Sequence, residues 1–248
     1  MTLPAARANT TIQPYPGIIG TDDRQAIGDN GPPWGAIGQV NIATYNMRSM
    51  CTGTLIAPRL VLTAAHCMFD PRKKTVFRLE NIHFVAGVMR DTSLGQSTAA
   101  CVKFPPGIGY VGPEHYKADL PVQHATMQSA RNDLALIVLK DAISGVRPIE
   151  IAASMPLAKG MAVTHAAYPA DHRYMLTAHR GCKVLRRSDD FIATDCDTHE
   201  ASSGGPLLVE GPDGVRLVGV LSLAVEDFAT LFIPVSNWKD LPMDATCP

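Results

Sequence analysis

Short runs rich in Val, Ile, Leu and Thr recur along the chain between Gly, Pro, Asn, Asp and Ser turn signals, the pattern of a mostly β protein. In the first half these runs predict strands over residues 39–45, 52–57, 60–63, 82–88 and 134–139. In the second half they predict strands over residues 162–168, 175–184, 191–194, 206–210, 217–224 and 230–235. Only the stretch after Thr63 and the tail over residues 237–241 read as helical, and both are short. Closely spaced strands without long helices between them predict barrels or a sandwich rather than βαβ units. Residues 141–148, with a Ser-Gly and a Pro, are the candidate link between two halves, and residues 105–127 read as a long surface insertion.

Composition narrows the function classes. Of 248 residues, 46% are hydrophobic and 18% charged, a globular balance that excludes disorder. Lys and Arg number 22 against 23 Asp and Glu, so no cationic field exists to attract nucleic acid or anionic lipid. The longest apolar runs, 134–139 and 217–225, are too short to cross a bilayer. The first residues show no basic start followed by an apolar core, so no signal peptide is read there; a cytoplasmic protein and a chain cut after its signal both fit. Six cysteines, at 51, 67, 101, 182, 196 and 247, contain no Cys-x-x-Cys. An even set without metal spacing favours disulfides and an oxidising compartment over the alternative of buried free thiols.

Some motifs are chance spellings. Gly107 to Gly112 fits a dinucleotide fingerprint by letter, but it follows two prolines and runs into Pro113, so no strand leads in and no helix leads out. Asn9-Thr10-Thr11 is a glycosylation acceptor by spelling only. The eight histidines show no metal spacing; His172 and His179 on one extended chain would face opposite ways.

Three segments are different: Cys51-Thr52-Gly53-Thr54 with Thr63-Ala64-Ala65-His66-Cys67, then Asn132-Asp133-Leu134-Ala135-Leu136, then Ser202-Ser203-Gly204-Gly205-Pro206 with Gly219-Val220-Leu221-Ser222. They supply a His, an Asp and a Ser, each at the end of an apolar run. A serine hydroxyl becomes a useful nucleophile when an imidazole takes its proton. A carboxylate holds that imidazole in one tautomer and stabilises the imidazolium. Backbone N–H groups then bind the developing oxyanion, and a Gly-Gly after the serine permits the tight turn that aims them.

These segments resemble the trypsin-like (chymotrypsin-fold) serine peptidases, in the histidine motif Thr63–Cys67 and the serine motif Ser203-Gly204-Gly205-Pro206. The start Gly17-Ile18-Ile19-Gly20-Thr21-Asp22-Asp23-Arg24 and the run Asp195-Cys196-Asp197-Thr198 are closer to bacterial glutamyl-endopeptidase-like members. The resemblance implies an all-β fold of two six-stranded antiparallel barrels with a short C-terminal helix. It divides the chain into an arm over residues 1–30, a barrel over 31–145 carrying His66 and Asp133, and a barrel over 146–248 carrying Ser203 and the specificity pocket. It implies His66 as general base, Asp133 as its orienting partner, Ser203 as nucleophile, and an oxyanion hole from the N–H groups of Ala201 and Ser203. The substrate-binding walls then fall on Asp197, Thr198, Glu200, Leu221, Ser222, Leu223, Ala224 and Thr230. It implies a Cys51–Cys67 disulfide and, in the bacterial subgroup, Cys182 with Cys196, which leaves Cys101 with Cys247. A secreted or periplasmic monomer acting on polypeptides is expected, with no cofactor, metal, nucleic acid or membrane span.

The departures set the alternatives. Ser202 stands where animal members carry the acid that pairs with a new N-terminus, so activation by a freed Ile18 amine is not expected. Ala201 stands where the family has Gly; if that position needs φ > 0, Ala costs roughly 1–2 kcal/mol that Gly does not, and a flipped peptide would put a carbonyl in the oxyanion hole. Asp197 sits where trypsins bind Arg or Lys, Thr198 matches the threonine with which glutamate-specific relatives read their substrate, Leu221 replaces their histidine, and Thr230 makes the pocket shallow; no side-chain preference follows. Two classes therefore stand side by side: an active serine endopeptidase, and a latent homologue acting as a binding module. An esterase with the same triad is a third, though no Gly-x-Ser-x-Gly elbow surrounds Ser203.

Overall fold

The computed structural model describes residues 17–45, 47–70, 75–105, 110–111, 131–211, 214–225 and 228–247. Most of the expected insertion, the residues before 17 and the Asn9 sequon lie outside the described residues.

Twelve strands make two closed, six-stranded antiparallel barrels. The first contains β1 (Ile37–Ala43), β2 (Arg48–Ala57), β3 (Leu60–Thr63), β4 (Ile82–Ala86), β5 (Gly95–Lys103) and β6 (Ala135–Leu139). Their order is β6-β3-β2-β1-β4-β5, and β6 pairs with β5 to close the ring. The second contains β7 (Ala162–Ala167), β8 (Thr177–Arg187), β9 (Ile192–Thr194), β10 (Pro206–Gly211), β11 (Gly214–Val225) and β12 (Ala229–Pro234). Its order is β8-β7-β10-β11-β12-β9, closed by β8 with β9. Strands β3 and β6 are buried along their whole length, which is why they read as unbroken apolar runs.

One strand is invisible to hydropathy. Up to Cys101, β5 alternates buried Ser97, Ala99 and Cys101 with more exposed Thr98 and Ala100, so its inward face is small and partly polar, before Val102 and Lys103 are buried as well. Of the tail expected to be helical over residues 237–241, only Asn237 lies in a helical turn, the 3-10 turn Val235–Asn237 between Pro234 and a buried Trp238; the stretch after Thr63 is a 3-10 turn, Ala65–Met68. No α-helix occurs among the described residues.

The two barrels are tied together at both ends of the chain and at their seam. The arm pairs Gln25 and Ala26 with Ala178 and Thr177 of β8, so it reaches past the first barrel to the second. The tail returns to the first barrel, where Cys247 is bonded to Cys101 and Asp244 accepts from Lys103 Nζ at 2.7 Å. At the seam, Tyr168 is fully buried and its hydroxyl donates to Val88 O at 3.0 Å.

Candidate active site

Barrel register brings His66 and Asp133 together. β3 and β6 are antiparallel with Thr63 opposite Ala135, so the residues just after β3 meet those just before β6. Asp133 Oδ2 lies 2.8 Å from His66 Nδ1, and its Oδ1 accepts the His66 backbone N–H at 2.8 Å. Ser222 donates its hydroxyl to the same Oδ2 at 2.6 Å. Ser222 occupies an irregularity of β11, where Leu221 pairs with Phe232 and Leu223 with Leu231; such a bulge re-aims a side chain. Burial pulls the His66 pKa down, but the charge and hydrogen bond of Asp133 outweigh it and hold the imidazole above its ordinary value. Burial alone would raise Asp133, yet the charge and hydrogen bond of His66, with the Ser222 hydroxyl, hold the carboxyl below its ordinary value. A carboxylate against Nδ1 fixes the proton there and leaves Nε2 bare. The His66 side chain keeps 40% of its surface exposed.

Ser203 sits on a loop clamped by Thr52. The Thr52 N–H donates to Ser203 O at 2.8 Å and its hydroxyl to Ala201 O at 3.3 Å, while that same hydroxyl oxygen accepts the Tyr168 N–H. A Cβ on Gly204 would lie 2.2 Å from Thr52 O and from Thr63 Oγ1, and 3.0 Å from Ala64 N. This close approach of bare backbone packs the serine loop against the turn that carries His66. A Cβ on Gly205 would also be too close, 2.7 Å from Ala166 O.

Ala201 adopts φ 70, the left-handed conformation that favours glycine. The preceding carbonyl, Glu200 O, accepts the Ala170 N–H at 2.7 Å. Because carbonyl and amide of one trans peptide point opposite ways, this bond directs the Ala201 N–H away from Ala170. Among the described residues neither the Ala201 nor the Ser203 N–H finds an acceptor. The flipped arrangement that Ala201 raised as a possibility is absent.

Beside this loop lies a wall of polar side chains turned inward. Asp197 is buried; its oxygens accept the N–H groups of Ile19 and Asp23, both at 2.8 Å, and its own N–H donates to His179 Nδ1 at 2.9 Å. Burial pulls His179 down, but its Nδ1 also lies 3.1 Å from Asp197 Oδ2, and the hydrogen bond and charge of that carboxylate outweigh burial and raise the pKa. His165 Nδ1 lies 3.1 Å from Pro206 O, which can only accept, so Nε2 is bare and takes the Thr198 hydroxyl at 3.4 Å. Burial pushes the His165 pKa down to about 4, so it is neutral. Thr230 donates to Cys196 O at 2.6 Å. Gly17, at φ 95, fits against Thr198 and Ala224 where a Cβ would come within 2.9 Å of Thr198 Cγ2. Leu221 is buried in the second barrel, and Leu223 packs with Ala193 and Leu231.

A family model described as a trypsin-like peptidase domain matches residues 51–220. The chain belongs to the trypsin-like peptidase family. Among solved structures, a Glu endopeptidase in complex with MPD shares 19% identity over 90% of this chain and 96% of that one, with a TM-score of 0.69. The VesB protease of Vibrio cholerae shares 16% identity over 88% of this chain and 65% of that one (TM-score 0.63), and protease Anisep from Arthrobacter nicotinovorans 16% over 87% and 93% (TM-score 0.60). At these identities the likeness is one of fold. Comparison with curated protein sequences gives no match.

In this trypsin-like peptidase all six cysteines are paired: Cys51–Cys67, Cys101–Cys247 and Cys182–Cys196. Two groups bring potential metal ligands together among the described residues. Cys51, His66 and Cys67 form one, but both sulfurs are consumed in a disulfide. Asp23, His179 and Asp197 form the other, a knot in which the Asp197 oxygens hold backbone N–H groups and Nδ1 accepts the Asp197 N–H. Three contributors escape a reading of the sequence: Thr52, Ala170 and the Asp133-facing role of Ser222. Thr52 acts through both its backbone N–H and its hydroxyl, and Ala170 through a backbone N–H that carries no motif.

Proposed function

We propose that the protein is a serine endopeptidase in which Ser203 attacks a peptide carbonyl, His66 takes the serine proton and Asp133 holds His66 in the required tautomer. The observation that carries this reading is the grip of one carboxylate on His66 at both Nδ1 and the backbone N–H, backed by Ser222. As the Ser203 Oγ–carbon bond forms, the proton passes to His66 Nε2, and the oxyanion is held by the N–H groups of Ala201 and Ser203. Collapse breaks the C–N bond, with the same proton leaving on the amine; water then repeats the sequence on the acyl-enzyme. The latent reading finds no support in the Ala201 backbone, whose φ is 70 with Glu200 O turned onto Ala170. The side chain preceding the cut bond lies against Thr198, Ala224 and Thr230, with the Asp197 carboxylate withdrawn onto Ile19 and Asp23. Three disulfides support action in the periplasm or outside the cell.

Intact mass after exposure to a fluorophosphonate tests the assignment. One adduct, absent in Ser203→Ala, is the expected result; an unlabelled folded protein, or an adduct that persists in the variant, rejects it. The pH dependence gives a second check. Only neutral imidazole accepts a proton, and Asp133 raises the His66 pKa, so kcat/KM rises with pH through one step whose midpoint lies above 6.5. A midpoint below 6.5 would mean that burial outweighs the charge of Asp133 at His66.

A further inference from the structure

The bond that keeps the Glu200–Ala201 peptide in place comes from a short turn, and that turn is held from the N-terminal arm. Ala170 opens the 3-10 turn Ala170–His172, and its N–H donates to Glu200 O at 2.7 Å. The next residue, Asp171, receives both terminal nitrogens of Arg24, at 2.7 and 3.3 Å. Arg24 is aimed by Asp22, which accepts its Nε at 2.9 Å, an NH2 proton at 2.8 Å and its backbone N–H at 3.2 Å. The Arg24 side chain is only 6% exposed although all its partners sit near the surface. A planar guanidinium forked between two carboxylates is a geometric brace as well as a charge pair.

We propose that Arg24 is a positioning residue for oxyanion binding, bracing Asp171 so that the Ala170 N–H holds Glu200 O and the Ala201 N–H faces the reacting carbonyl. The proposal rests on the serine-peptidase reading of Ala201 and Ser203. This chain needs such a brace because residue 201 has a Cβ: a left-handed backbone disfavours Ala by roughly tenfold relative to its ordinary wells. If Glu200 O is released, its peptide can rotate, Ala201 leaves the left-handed region and a carbonyl takes the place of the N–H donor. The remaining anchors of the arm are independent of Arg24: Gln25 and Ala26 stay on β8, Ile27 N–H on Leu176 O, and the Ile19 and Asp23 N–H groups on Asp197. Losing the guanidinium therefore removes the arm's hold on Asp171 without detaching the arm, while Gln39 still donates to Arg173 O at the end of the turn.

The test is a kinetic cycle on the full chain with Arg24→Met, Ala201→Gly and the double variant, using a chromogenic peptide substrate and the rate of fluorophosphonate labelling. Arg24→Met should lower kcat and the labelling rate about tenfold, with KM changed less than about twofold, because the lost donor acts on the transition state. Adding Ala201→Gly should restore most of the loss, since Gly adopts left-handed φ freely. Arg24→Lys, a single point of contact, should fall between the two. An unchanged kcat in Arg24→Met overturns the proposal, and so does a loss that Ala201→Gly fails to repair, which would make Arg24 a structural clamp only. If Arg24→Met does not fold, Asp171→Asn, which leaves the Arg24–Asp22 pairing in place, reads the same link and must show the same repair. Absence of any Ser203 adduct in the unsubstituted protein rejects the peptidase reading instead, and this proposal with it.

Discussion

Asp133→Asn is expected to lower kcat by about 10⁴-fold with little change in KM. The carboxylate accepts three donors: His66 Nδ1–H and the Ser222 hydroxyl at Oδ2, and the His66 backbone N–H at Oδ1. An amide of the same shape can accept at one end only. With its NH2 at the Oδ2 position, Ser222 can turn its proton away, but the imidazole must move its proton to Nε2 and can no longer take one from Ser203. With the NH2 at the Oδ1 position, it meets the His66 backbone N–H, which cannot turn. The first arrangement sacrifices the tautomer, and the second displaces the ring. Steady-state kinetics beside a thermal melt decides the matter: a loss of less than about tenfold in a folded variant would show that Asp133 does not set the tautomer.

The parts of this site that were legible in the sequence are those carried by side chains within short motifs. His66, Asp133 and Ser203 each lie beside a strand that reads clearly, and the pairing of Thr63 with Ala135 brings His66 and Asp133 into contact. Strand β5 failed to register because its inward positions, Ser97, Ala99 and Cys101, give hydropathy nothing to count, although the period of two holds from Ser97 to Cys101. The position of Asp197 suggested a pocket floor, yet its partners, Ile19 and Asp23, lie 178 and 174 residues away in the chain. No spacing rule reaches that far. Ala201 shows the limit from the other side: the sequence raises the strain, but the carbonyl that relieves the ambiguity is held by a backbone N–H from Ala170, a group every residue but proline possesses. Backbone donors leave no signature in composition, so the conformation of the oxyanion loop had to come from the structure.

Gly204→Ala is expected to destabilise the fold by at least about 3 kcal/mol, the sum of a left-handed backbone and an overpacked contact. Gly204 has φ 83, and a Cβ there would lie 2.2 Å from Thr52 O and from Thr63 Oγ1. Neither neighbour can retreat cheaply. Thr52 O is in β2 and already accepts the Thr63 hydroxyl at 2.7 Å, and the Thr52 N–H holds Ser203 O. Any shift therefore opens the seam where the serine loop meets the histidine turn, so stability and labelling of Ser203 should fall together. Gly160→Ala isolates the backbone part: its φ is 82, but a Cβ there meets nothing within 4 Å. That variant should cost about 1 kcal/mol, and the difference between the two is the crowding. At roughly 2–4 °C per kcal/mol for a chain of this size, the melting points should separate by about 5 °C or more. Equal melting points would mean that the loop yields to a methyl group, and that the Gly-Gly after Ser203 serves turn geometry alone.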